Sequence, residues 1–277
     1  MRHEEGFFQG LGNARIYHQC WLPDGEVRAV LFIVHGVGEH SGRYMNVVNH
    51  FVPLGYGVYG LDHLGHGRSD GMRKDIGRFE DFTDTLKTYF DSVRLLQPGK
   101  PVVLVGHSLG ALIGAFYLLD HQAELAGAVL SGATAKVPAS ISPATIAVGR
   151  ALSRIAPRLR FLGLDVAGIC RDPSVVQAYI HDPLVDCGKA TVRMGMEQLR
   201  ALQRVQAEAA TIQLPILLLH GGADRLVEAE GARLLYDAVG STDKTLKIYD
   251  GLYHEVYNEP ERATVLHDLE GWLQARV

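Results

Sequence analysis

Cysteine is scarce in this 277-residue chain, with only Cys20, Cys170 and Cys187. None of them forms a C-x-x-C pair, and an odd count makes a poor disulfide framework. The thiols therefore read as buried or incidental, in keeping with a reducing compartment. No stretch reaches the roughly 18 apolar residues of a membrane-spanning helix. The opening MRHEEGFFQG carries acids and lacks the apolar core of a secretory signal. An excess of positive charge is also missing. Against 31 acidic residues stand 27 lysines and arginines, a net charge of −4. The isoelectric point near 6.3 argues against a general nucleic-acid binder. Tandem repeats and low-complexity segments are absent. What remains, 47% hydrophobic and 21% charged residues, is the composition of a soluble globular protein, expected in the cytoplasm. The length allows one α/β domain or two small ones.

Strand and helix signals alternate along most of the chain, which predicts a mostly parallel sheet flanked by helices. RIYHQCWLP and AVLFIVHG read as strands separated by the turn Pro23-Asp24-Gly25, and GYGVYGLD (55–62) reads as another. Phe82, Leu86, Tyr89, Phe90 and Val93 fall at helical spacing within a helix from Phe79 to Leu96, which Pro98-Gly99 ends. PVVLVG, GAVLSG, PILLLHG and TLKIYDG are short apolar runs ending in glycine, as expected of parallel strands buried on both faces. Residues 134–205 break this rhythm with helical composition and no convincing strand. They read as a helical cap inserted into a core made of residues 1–133 and 206–277.

The pentapeptide Gly106-His107-Ser108-Leu109-Gly110 fits G-x-S-x-G where a buried strand should turn into a helix. Such an elbow presents a serine hydroxyl at the top of the sheet, and glycines on either side let strand and helix approach. A serine hydroxyl needs a base to take its proton, and the base needs an orienting acid. In the α/β-hydrolase order the acid and then the histidine follow the serine, each after a later strand. Asp224 stands just past PILLLHG and His254 just past TLKIYDG. Ser108, Asp224 and His254 thus form an ordered triad. Asp224 also has the chemistry of an N-cap for the helix expected over 228–239. His267 is an alternative base, but it lies within an amphipathic terminal helix. Glu228 and Glu230 are weaker acid candidates because they fall within the expected helix. An oxyanion needs backbone donors; the N–H groups of Leu109 and of Val37, in the loop after an early strand, are the candidates.

Together HGVGEHSGRY, LDHLGHGRSDG, GHSLG, HGGADRLV and DKTLKIYDGLYHE resemble the monoglyceride lipase family of α/β-hydrolases, from roughly residue 30 to the C-terminus. The resemblance implies the α/β-hydrolase fold and a serine esterase cleaving monoacylglycerol, a lipid ester, without a cofactor. It implies Ser108, Asp224 and His254 as triad and Val37 and Leu109 as oxyanion hole. It also places Glu39, Arg43 and, in QAYIHDPL, Tyr179 at the glycerol end of the substrate. The family often carries a second histidine three residues after the catalytic one. Here that position is Tyr257, which still offers a hydroxyl to substrate. A broad carboxylesterase, a lysophospholipase and a non-catalytic binding module are the competing readings.

Two other signals are discounted. GYGVYG spells G-x-G-x-x-G but leads into a strand instead of a helix. His35, His40, His63, His66 and His107, with Asp62, lack a metal-ligand spacing, so no metal is expected. In the cap, Arg150, Arg154 and Arg158 are expected on one helix face, with Val148, Leu152, Ile155 and Leu159 largely on the other. A basic amphipathic helix of this kind suits transient contact with an anionic membrane, or simply a lid packing its apolar face over the site. Pro157 should kink or end that helix.

Overall fold

The computed structural model describes residues 1–133, 136 and 142–277. An eight-stranded sheet organises them. Its strands are β1 (Arg2–Gln9), β2 (Arg15–Leu22), β3 (Ala29–Val34), β4 (Tyr56–Leu61), β5 (Val102–His107), β6 (Gly127–Ser131), β9 (Ile216–Gly221) and β10 (Lys244–Tyr249). They lie in the order β1-β2-β4-β3-β5-β6-β9-β10. β1, β2 and β4 pair antiparallel, and every pair from β4 to β10 is parallel. This is the α/β-hydrolase architecture. The runs read from sequence as strands become β2 to β6, β9 and β10, and GYGVYG supplies β4. The edge strand β1 has no apolar signature in RHEEGFFQ, since most of its residues are exposed.

Alternation along the strands divides the core in two. Val30, Phe32, Leu104, Leu130 and Leu218 face helices α2 (Glu80–Leu96), α3 (Leu109–His121), α6 (Val192–Glu208) and α7 (Ala229–Ala238). Leu31, Ile33, Val103, Val105, Val129 and Leu217 face α1 (Met45–Phe51) and α8 (Arg262–Gln274). β3, β5 and β9 are buried throughout, which explains their continuous apolar runs. Among the described residues no helix is long and apolar enough to cross a membrane.

Between β6 and β9 the chain leaves the sheet. Residues 134, 135 and 137–141, where the expected insertion begins, lie outside the described residues. Beyond them come α4 (Pro143–Ile155), β7 (Arg160–Leu162), α5 (Pro173–His181), β8 (Ala190–Thr191) and α6. β7 and β8 pair antiparallel, so this stretch is not strand-free as its composition suggests. Two such short strands are below the length at which periodicity is readable. α4 stops two residues before Pro157, which leaves Arg158 beyond the helix and off the face shared by Arg150 and Arg154. Thr191 caps α6 by accepting from the Met194 N–H, and it donates to Asp75 at 2.7 Å. The Asp186 N–H donates to the Gly38 carbonyl at 2.8 Å, Lys74 donates to the Gly188 carbonyl at 2.7 Å, and His40 meets Asp182 at 2.9 Å. These bonds clamp the segment onto the loops that follow β3 and β4.

Four histidines at the ends of β3, β4 and β5 are buried almost completely. Burial pushes His35 and His107 down to about 4 and His66 down to about 3, and His63 falls well below its ordinary value for the same reason. An unfolded histidine titrates near 6.5. The folded state therefore refuses protons that the unfolded chain takes up. Stability from these groups is present above about pH 6.5 and is lost as pH falls toward 4, by about 1.4 kcal/mol per pH unit for each histidine involved. Urea unfolding from pH 7.5 to 4.5 should show this decline, and a stability independent of pH across that window would contradict it.

Candidate active site

Ser108 sits between β5 and α3 with φ 54° and ψ −117°. This left-handed conformation of a non-glycine residue costs on the order of 1–3 kcal/mol and must be held by its surroundings. The Ser108 N–H donates to the Ser131 carbonyl at 2.8 Å, and the Ser108 carbonyl accepts from Ala111 at 2.9 Å. The flanking glycines have a steric reason. A Cβ on Gly106 would meet the Gly110 carbonyl at 2.5 Å, and one on Gly110 would overlap the carbonyls of Val34 and His35. The strand–helix crossing is thus too tight for side chains at either place. Leu109, as the first residue of α3, has an N–H without an intrahelical acceptor.

Asp224 and His254 come together 30 residues apart in sequence, at the ends of the adjacent strands β9 and β10. His254 Nδ1 lies 2.7 Å from Asp224 Oδ2. The other carboxylate oxygen, Oδ1, accepts from the N–H groups of Leu226 (2.8 Å) and Val227 (3.0 Å). Asp224 therefore pins its own turn with one oxygen and faces the imidazole with the other. It does not cap α7, which starts at Ala229. Burial pushes the Asp224 carboxyl up, but hydrogen bonds from His220 and His254 outweigh it and hold the group well below the carboxylate range. An ionised carboxylate only accepts, so His254 Nδ1 carries the hydrogen and Nε2 is left as the basic nitrogen.

His220 is a site residue that the sequence reading missed. Its Nε2 lies 3.2 Å from Asp224 Oδ2 and 2.9 Å from the Val227 carbonyl. Both partners are acceptors, so Nε2 is the protonated nitrogen. The only sequence signal was its place at the end of β9, four residues before Asp224. His107 is a further neutral imidazole beside the site. Its Nδ1 lies 3.0 Å from Ser131 Oγ, and its ring centroid is 4.8 Å from that of His254.

Ser108 and His254 line one cavity with Gly36, Val37, Glu39, His107, Leu164, Ile169, Tyr179 and Glu255. Glu39 accepts from the Gly36 N–H (2.6 Å), the Tyr44 hydroxyl (2.9 Å) and Arg43 (2.8 Å). Arg43 reaches across to Glu255 through both terminal nitrogens and lies 4.5 Å from the centre of the Tyr179 ring. Arg43 and Tyr257 do not line the Ser108 cavity. They line a neighbouring one, with Glu39, His107 and Glu255 forming the wall between the two. His267 lies on α8 against His50, away from the site, and Glu228 is paired with Lys136 at the surface. Glu255 is the second residue that sequence reading missed, because a lone glutamate after His254 carries no pattern.

The chain as a whole is similar to known proteins. Residues 25–261 match the family described as serine aminopeptidase, S33. The monoacylglycerol lipase of Mycolicibacterium smegmatis is 39% identical, with 97% of this chain and 96% of that protein aligned. The human monoglyceride lipase is 34% identical over 94% of this chain and 87% of its own length. The crystal structure of Paleococcus ferrophilus monoacylglycerol lipase superposes with a TM-score of 0.82 at 31% identity, covering 93% of this chain and 98% of that one. Fold, strand-end geometry and similarity over nearly the whole length agree: the chain belongs to the serine aminopeptidase S33 family of α/β-hydrolases and, within it, to the monoglyceride lipases.

Proposed function

We propose that the chain is a serine esterase that cleaves monoacylglycerol to glycerol and a free fatty acid. The observation that carries the reading is the His254 imidazole. Its Nδ1 is committed to the Asp224 carboxylate at 2.7 Å, while its ring borders the same cavity as Ser108. Ser108 Oγ attacks the ester carbonyl as His254 Nε2 takes its proton, and the Asp224 carboxylate stabilises the imidazolium. The N–H groups of Val37 and Leu109 hold the oxyanion. Its collapse expels the glycerol oxygen, which takes the proton from His254 and leaves an acyl-enzyme. Water, deprotonated by the same nitrogen, then releases the fatty acid. The polar side chains of Glu39 and Tyr179 receive the glycerol end; Arg43 and Tyr257 support it from behind. Leu164 and Ile169 offer the apolar wall that an acyl chain needs.

In this reading the segment expected as a cap, 134–205, contributes Leu164, Ile169 and Tyr179 to the cavity, while its last helix, α6, runs on to Glu208 and packs into the main core. Its outer side supports a contact with lipid surfaces. No residue of α4 is buried; Ile155 and Phe161 are 82% and 61% exposed, and Arg150, Arg154 and Arg158 of the same stretch are exposed as well. Apolar side chains among cations suit the interface of an anionic bilayer. An intracellular, reducing location suits the three unpaired thiols.

Ser108→Ala should retain its circular dichroism and melting temperature while losing on the order of 10⁴- to 10⁶-fold in turnover of 1-oleoylglycerol. The substrate class is tested by kcat/KM for mono-, di- and trioleoylglycerol and lysophosphatidylcholine. Monooleoylglycerol should lead, and a triacylglycerol or lysophospholipid in first place overturns the assignment. His220→Leu deprives Asp224 of a donor, and a lost hydrogen bond to a charged group is worth about 1.5–3 kcal/mol. Its kcat should fall roughly ten- to a hundredfold with KM little changed, and His220→Asn should recover part of the loss. For the cap, the double variant Ile155→Glu/Phe161→Glu should co-sediment at least about fivefold less with phosphatidylglycerol vesicles. Its hydrolysis of dissolved p-nitrophenyl butyrate should be unchanged.

A further inference from the structure

Glu255 and Glu39, which both line the Ser108 cavity, converge on a single cation. Arg43 Nη1 donates to Glu39 Oε2 at 2.8 Å and to Glu255 Oε1 at 2.6 Å, and Nη2 donates to Glu255 Oε2 at 2.8 Å. Both carboxylates are buried, at 4% and 5% exposure. Burial pushes the Glu255 carboxyl up, but the charge and hydrogen bonds of Arg43 outweigh it and hold the group below its ordinary value. Two carboxylates against one guanidinium leave a formal charge of −1. Among the described residues no lysine or arginine lines the Ser108 cavity, and His107, pushed down to about 4 by burial, adds no positive charge. Arg43 is spent on the carboxylates and covered on one face by Tyr179, so it offers no phosphate-binding fork.

We infer that Glu255, by overcharging the Glu39–Arg43 pair, makes this a site for esters of neutral alcohols and bars those whose alcohol carries a phosphate or carboxylate. The inference rests on the monoacylglycerol reading and deepens it by naming the residue that sets head-group charge. Glu39 Oε1 and Glu255 Oε2 are each taken by two donors, with Asn258 supplying one of them to Glu255 at 2.8 Å. A neutral polyol would therefore donate to Glu39 Oε2 and Glu255 Oε1, each of which accepts only from Arg43 among the described residues. A phosphate or carboxylate on the head group replaces one such donor with a charged acceptor, which meets an uncompensated like charge at low effective dielectric. At several ångströms in a partly buried site, one unit charge is worth roughly ten- to fiftyfold in binding. Repelling the wrong head group in this way gives specificity without adding a contact to the preferred substrate.

The test compares kcat/KM for 1-oleoylglycerol and 1-oleoylglycerol 3-phosphate, each at the same mole fraction in neutral detergent micelles. Wild-type protein should favour the neutral ester strongly. Glu255→Gln keeps an acceptor for Arg43 while removing one charge, and should shift the ratio about tenfold toward the phosphate ester. A second arm needs no variant. Hydrolysis of p-nitrophenyl butyrate by the wild type should be inhibited by glycerol at concentrations at least tenfold below those at which glycerol 3-phosphate inhibits. An unchanged ratio in folded Glu255→Gln, or inhibition by glycerol 3-phosphate as strong as by glycerol, overturns the proposal. If Glu255→Gln does not fold, the inhibition arm decides alone. Wild-type protein that leaves 1-oleoylglycerol intact would instead defeat the monoacylglycerol reading, and the inhibition arm would still report on the charge of the site.

Discussion

Six neighbouring strands, from β4 to β10 in sheet order, run in the same direction, and the rest of the molecule depends on that parallel pairing. Parallel strands must return through crossovers, so helices cover both faces and every loop after a strand emerges on one rim. Ser108, Asp224, His254 and the Val37 loop lie far apart in sequence. They become neighbours because each follows a strand of this set. Burial of the sheet on both faces also accounts for the unbroken apolar runs and for the two separate cores that alternate residues feed.

Desolvation at the rim then sets the chemistry. The same burial that silences His35, His63, His66 and His107 as bases leaves Asp224 ionised, because His220, His254 and two backbone N–H groups aim donors at it. An imidazole with one nitrogen fixed on such a carboxylate has only the other free for proton transfer. Two of the histidines, His220 and His254, bond the Asp224 carboxylate, and of these two it is His254 that also lines the Ser108 cavity.

The segment between β6 and β9 is joined to this rim through polar contacts with loops 37–44 and 72–80, and it delivers Tyr179 to Arg43. Its own hydrophobic cluster around Ile169, Cys170 and Tyr179 is small. It depends on docking against the sheet domain more than on a core of its own. Meanwhile its outer apolar residues remain uncovered.

Much of the fold and site was legible from residue patterns. The runs that became β3, β5, β6 and β9, the G-x-S-x-G turn, and the order Ser108, Asp224, His254 rest on local periodicity and on spacing along the chain. Those features express physics that acts within a few residues: side-chain burial, turn sterics and helix propensity. Three kinds of feature were not legible. β1 is a polar edge strand paired on one side, and β7 and β8 are too short to show a period. His220 and Glu255 are single residues whose meaning comes from partners four and 212 positions away. By itself, then, the sequence determined the layered α/β plan and which serine, aspartate and histidine stand at strand ends. Only the tertiary structure decided that Asp224 turns one oxygen to His254, that His220 braces it, and that Arg43 is shared by two carboxylates. Such contacts depend on the relative placement of distant strand ends, which no local pattern encodes.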